Sequence, residues 1–220
     1  MSILFVLLMF LLIMSISYFR GVQTQPGLKP EPGLRPQTPR LERELGFAIP
    51  QGYCFHPGHT WMLKEGADNV RVGLDSFAGN LIGKIDRLEV VGPNRWVRQG
   101  QKLMSVHAGG NVLELLSPVE GVVVAVNHDA IEDPTLLTRD PYKDGWVAMV
   151  KSPDLAINQK NLVQSNMVAP WMQNNVSRLN GMLAQLSPQL AQDGGLPVSG
   201  ILARVNPELR QKLTKEFFLS

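Results

Sequence analysis

Cysteine is nearly absent. The 220 residues hold one, Cys54, which excludes an intramolecular disulfide framework and a multi-cysteine zinc site. An excess of one charge is absent too. Twenty-one basic side chains stand against 19 acidic ones, for a formal net charge of +2, so the chain lacks the basic surplus of a nucleic-acid binder. Charge of either sign is scarce, at 18% of the residues against about 25% in an average soluble domain. No P-loop, dinucleotide fingerprint, Ser-His-Asp spacing or paired-carboxylate motif occurs. Neither enzyme activity nor a nucleic-acid partner is therefore expected. The length allows one or two domains.

The shortage of charge begins at the N-terminus. Residues 2–19 are 18 apolar or small residues without a single charge, and at 1.5 Å per residue they make about 27 Å of helix, close to the thickness of a bilayer core. Residues 1–20 are read as a transmembrane anchor. The alternative is a cleaved signal peptide, with Ser15-Ile16-Ser17 as its small-residue site. Such a peptide carries a basic start, and here no Lys or Arg precedes Arg20. Arg20, Lys29 and Arg35 follow the apolar run, so the positive-inside bias places the downstream chain in the cytoplasm, held by a single-pass anchor. Residues 21–46 form a linker. Pro26-Gly27-Leu28-Lys29-Pro30 is nearly repeated as Pro32-Gly33-Leu34-Arg35-Pro36. Proline at this density blocks helix and favours an extended spacer, about 45 Å for 15 residues.

Residues 47–152 read as β-rich. Val70–Leu74, Leu88–Val91 and Leu103–Val106 alternate in the manner of strands, and Val122–Val126 is a continuous apolar run, the pattern of a strand buried on both faces. Turns at Gly92-Pro93-Asn94, Gly109-Gly110-Asn111 and Glu120-Gly121 separate them. A short helix is expected over 74–81, capped by Asp75 or Ser76. Trp146–Val150 is the last strand, with Trp146 and Trp61 expected in the core.

These residues resemble the glycine cleavage system H protein family, whose fold is the lipoyl-type barrel-sandwich hybrid. His59-Thr60-Trp61 is similar to the family's His-Glu-Trp. Val72-Gly73-Leu74-Asp75-Ser76-Phe77-Ala78 is similar to its Val-Gly-Ile-Thr-Asp-Tyr-Ala. Val97-Arg98-Gln99-Gly100-Gln101 resembles Val-Lys-Lys-Gly-Asp, and Ser117-Pro118-Val119-Glu120-Gly121 resembles Ser-Pro-Val-Ser-Gly. Asp140-Pro141-Tyr142 and Gly145-Trp146 follow in the family's order. The resemblance implies a mainly β barrel-sandwich hybrid, here with C-terminal helices and an N-terminal transmembrane helix.

The resemblance also implies a lysine at a hairpin tip, carrying lipoate in amide linkage, seven residues before the Ser of Ser-Pro. Counting back from Ser117 reaches Gly110, within His107-Ala108-Gly109-Gly110-Asn111. No lysine occurs between Lys102 and Lys143. Without a primary amine there is no acceptor for lipoate, so no cofactor is expected. Gly-Gly is a natural hairpin turn, because both glycines accept positive φ. The hairpin is expected to survive without its cargo.

Cys54, His56 and His59 offer a Cys-x-His-x-x-His spacing for zinc or copper, with His107 or His128 as a further ligand. A redox role for Cys54 is the companion reading. His107 is otherwise a surface histidine, a contact or a pH-sensitive group at the hairpin.

Residues 153–220 read as a helical extension. Apolar residues from Leu155 to Leu186 recur at three- and four-residue intervals, with Pro170 expected to kink or split the helix. Asp193-Gly194-Gly195 is a break. Asn206-Pro207-Glu208 starts a last helix bearing Leu209, Leu213 and Phe217 on one face. The extension either docks on the barrel or binds a partner. The whole reads as a membrane-anchored binding or scaffold module whose protein partner contacts residues 154–218 or the 107–111 hairpin. The alternatives are a lipoyl carrier modified at another lysine and a metal or redox site.

Overall fold

The computed structural model describes Met9, residues 49–186 and residues 199–219. The expected anchor (Met9 apart), the linker and the Asp193–Gly195 break lie outside the described residues. No helix among the described residues is long and apolar enough to cross a membrane. Contacts separate Met1–Thr38 from Pro39–Ser220, and the second unit contains the fold described below.

Strand periodicity sets the sheets. In β3 (Asn69–Leu74) the side chains of Val70, Val72 and Leu74 are fully buried, while Asn69 and Arg71, on the other face, are not, and Gly73 on that face is covered by Trp61. That alternation is the signature of a sheet with one covered face. β3 lies between β2 (Thr60–Glu65) and β9 (Trp146–Lys151), with Val72 opposite both Met62 and Ala148. β1 (Cys54–Phe55), β5 (Trp96–Val97), β8 (Gly121–Val126) and β10 (Val163–Gln164) complete a seven-stranded antiparallel sheet in the order β10-β1-β2-β3-β9-β8-β5. A second sheet of three strands, β4 (Arg87–Val90), β6 (Lys102–Ala108) and β7 (Asn111–Leu116), runs in the order β4-β6-β7. Met62, Val70, Val72, Leu103, Val123 and Val150 share one core that joins the two sheets. The result is a mainly β sandwich with C-terminal helices.

The helices build a second core. α1 (Ser76–Ile82) starts at Asp75, whose side chain accepts from Ala78 N, as the cap at its N-terminus requires. After the short α2 (His128–Glu132), α3 (Leu136–Arg139) and α4 (Leu155–Gln159) come α5 (Val168–Leu186), α6 (Ile201–Arg204) and α7 (Pro207–Phe218). α7 begins at Asn206, which caps Leu209 N, and has proline at its first position. Met172, Leu179 and Leu183 of α5, Ile201 and Leu202 of α6, and Leu209, Leu213 and Phe217 of α7 pack with Phe77 and Leu81 against Met104, Val106, Leu113 and Leu115 of the three-stranded sheet. The extension thus docks on the sheet through its apolar stripes.

Three expectations are corrected. β8 is not buried on both faces. Val124 is 40% exposed and Val122, Ala125 and Val126 are half-buried, because none of the described helices covers that outer face and the neighbouring β5 has only two residues. Pro170 does not split a helix. It is the third residue of α5, where its missing N–H has no intrahelical acceptor to lose. The interruption comes earlier, where β10 pairs with β1 and places Gln164 opposite Cys54. Trp61 is fully buried as expected, and donates from Nε1 to Leu74 O at 2.9 Å. Trp146 is only half-buried, under the Arg71 guanidinium.

Candidate functional site

The β6–β7 hairpin presents the position singled out in the sequence. Ala108 pairs with Asn111, which leaves Gly109 and Gly110 as a two-residue turn. Both have positive φ, 55° and 77°, the type I′ geometry that matches strand twist. Gly110 stands at the tip, and a Cβ built on it would meet nothing within 4 Å. A side chain at this point would project into solvent. The residue present has none.

The flanks of the turn are tied down. Gly109 N donates to Asp86 Oδ2 at 2.8 Å, and Asp86 N donates to His107 O at 2.8 Å. Asn111 Nδ2 donates to Gly109 O at 3.0 Å. Arg210 of α7 donates from Nη1 to Asn111 Oδ1 at 2.6 Å. Its Nε and Nη2 hold Leu202 O and Val205 O at 2.7 and 3.2 Å. His107 is not at the tip. It sits inside β6 with its Nε2 3.3 Å from Glu89 Oε1, and Glu89 also pairs with Arg87.

The fit to lipoate fails on one point of chemistry. The hairpin is intact, but its tip offers no amine. Lys102, at the far end of β6, is engaged by Glu114 at 2.6 Å. Lys84 lines a pocket of about 400 Å³ that Gly109 and Ala203 also line, but it belongs to the loop between α1 and β4.

The Cys-His-His spacing does not assemble a metal centre. Cys54 is buried in the sheet core, where its thiol donates toward Gln164 Oε1 at 3.7 Å, and burial raises its pKa. His56 Nδ1 accepts from Gly58 N at 3.0 Å. His59 donates from Nδ1 to Asp75 Oδ2 at 2.7 Å. His128 opens α2. Among the described residues no group of three His, Cys, Asp or Glu side chains is placed to hold a metal ion.

The His59–Asp75 pair is the feature that sequence reasoning missed. Both side chains are buried. The imidazole is stacked on Phe77 and Trp171, at centroid distances of 4.4 and 4.9 Å, with Phe217 at 6.1 Å. Tyr142 is close by. Its hydroxyl accepts from Ser76 N at 3.1 Å, and burial first, then the Asp75 charge, hold its pKa well above the usual tyrosine value. The available signal was Asp75 itself, which stands where the resembled motif has threonine.

The family model for the glycine cleavage H-protein matches residues 53–175, more than half of the chain and all of the two-sheet sandwich. The chain belongs to the glycine cleavage H-protein family. The glycine cleavage system H protein of Mycobacterium avium is 32% identical over 108 residues, which are 49% of this chain and 82% of that protein. That of Gloeobacter violaceus is 34% identical over 112 residues, 51% of this chain and 86% of that protein. A solved H protein from Mycobacterium marinum has a TM-score of 0.49 and 25% identity over 58% of this chain and 98% of its own. Within this H-protein-like domain the hairpin ends in glycine. Helices α6 and α7, including Arg210, lie beyond the family match.

Proposed function

We propose that this chain is a membrane-anchored, H-protein-like module that carries no lipoate and acts by binding a partner rather than by catalysis. The observation that carries the reading is Gly110 at the hairpin tip, an open position without the amine that a lipoyl amide needs. The anchor rests on the uncharged run at residues 2–19, and the positive charges after it favour a cytoplasmic domain. The half-exposed face of β8 and the exposed tip of the 107–111 hairpin are the surfaces on which a protein partner would be sought.

The competing reading is a carrier modified at another lysine, and Lys84 is the first place to look because it shares a pocket with the hairpin turn. Incubation of the full chain with lipoate, ATP and a lipoate–protein ligase separates the two. A lysine-bearing H protein in the same tube gains a lipoyl-sized increment. This chain remains unmodified. Modification of Lys84 or any other side chain would overturn the reading.

A further inference from the structure

The hairpin turn is exposed at its tip and occupied along one flank. The C-terminal helices are the occupant. Arg210 holds Asn111, the residue just after the turn, and is itself fixed by the carbonyls of Leu202 and Val205. The Ala203 methyl lies 3.7 Å from where a side chain on Gly109 would begin. α6 is seated in turn on α1: Gly200 N donates to Asn80 O at 2.8 Å, and Gly83 approaches Gly200 so closely that a Cβ on it would lie 2.5 Å from Gly200 Cα. Ile201 and Leu202 are buried beneath.

We infer that α6 and α7 form an intramolecular clamp that closes this flank of the hairpin to any enzyme that attaches a group at the tip. An enzyme that modifies a folded hairpin must contact more than a two-residue turn, since a specific interface covers about 800 Å² on each partner. Here part of that surface is already buried against the chain's own helices. The chain is thereby barred from the carrier role twice, once by the missing amine and once by the clamp. This rests on the non-carrier reading above, and the test below separates the two.

The test uses the full chain with Gly110→Lys, and reads the initial rate of lipoate attachment by intact mass with the same ligase. With the clamp closed, attachment is about tenfold slower than in a chain that also carries Arg210→Ala. Arg210→Ala loosens α7 as a whole, so Asn111→Ala is the second variant: it removes the Asn111 side-chain bonds to Arg210 and to Gly109 O and leaves Arg210 bound to Leu202 and Val205. It too speeds attachment to the lysine. A reversible lock checks the cause. The 3.7 Å separation at Gly109 and Ala203 suits a disulfide, so Gly109→Cys with Ala203→Cys in the Gly110→Lys, Arg210→Ala chain restores the slow rate when oxidised and releases it on reduction. Equal rates for Gly110→Lys with and without Arg210→Ala overturn the inference. So does a complete lack of attachment in every variant, since the barrier would then lie in the hairpin itself. Lipoylation of the native chain in the same assay would instead overturn the non-carrier reading, and the ratio between the variants would still report on the clamp.

Discussion

His59 Nδ1 lies 2.7 Å from Asp75 Oδ2, and both side chains are buried between the barrel and its helices. The carboxylate has two tasks, because its other oxygen accepts from Ala78 N at 2.8 Å and caps α1. Asp75→Ala removes the cap and leaves the imidazole without its acceptor. The expected loss is about 2–4 kcal/mol, from the cap and a hydrogen bond to a charged group. Asp75→Asn keeps an acceptor oxygen for the cap, and should cost less than half as much. Urea denaturation of the three proteins checks the order.

His56 makes stability depend on pH. It titrates at about 4 in the folded chain, against its ordinary 6.5, because burial penalises the charged ring and His59 lies nearby. Unfolding therefore takes up a proton once the pH falls below 6.5. The contribution is complete above pH 6.5 and is lost as the pH falls through 4, up to about 3 kcal/mol. His56→Asn retains an acceptor for Gly58 N without a titrating group. Its melting temperature should fall less than that of the native chain between pH 7 and pH 4. Parallel curves would mean that His56 is not the group responsible.

Gly83 and Gly110 share a positive φ, 75° and 77°, but Gly83 has a ψ of −125°, outside the left-handed turn conformation, and the two have different surroundings. An alanine at Gly110 is strained by about 1 kcal/mol, and one at Gly83, outside that left-handed region, by more. At Gly110 the added methyl meets nothing within 4 Å, whereas at Gly83 it meets the Gly200 backbone. Gly83→Ala should therefore destabilise the chain by about 1–3 kcal/mol more than Gly110→Ala, the range for an overpacked contact. It should also speed amide exchange in α6. Equal melting temperatures for the two variants would count against the close seat of α6 on α1.

Much of the fold is legible where local chemistry decides it. The alternation of Val70, Val72 and Leu74 gives a strand, Asp75 and Asn206 cap helices, and Gly109-Gly110 makes the hairpin turn. The ordered motifs from His59 to Trp146 pointed to the family. What could not be read is long-range. Nothing near Asn111 announces Arg210, 99 positions later, and Asp75 departs from the motif threonine without naming His59 as its partner. The apolar run of β8 misled because hydrophobicity alone does not say whether a second layer covers a strand. Pro170 misled because a proline breaks a helix only when it is interior, and the start of α5 depends on where β10 pairs. The hairpin is legible from the resemblance and its Gly-Gly pair, but its clamp is not, since helix α7 could equally face a partner.

The most direct test is the intact mass of the full-length protein purified gently from its native cells. The account predicts the mass of the unmodified sequence, with the apolar N-terminal segment retained. Loss of roughly the first 17–25 residues would mean a cleaved signal peptide and would withdraw the anchor. A lipoyl-sized increment would contradict the central claim, that the hairpin ending in Gly110 belongs to a chain that carries nothing.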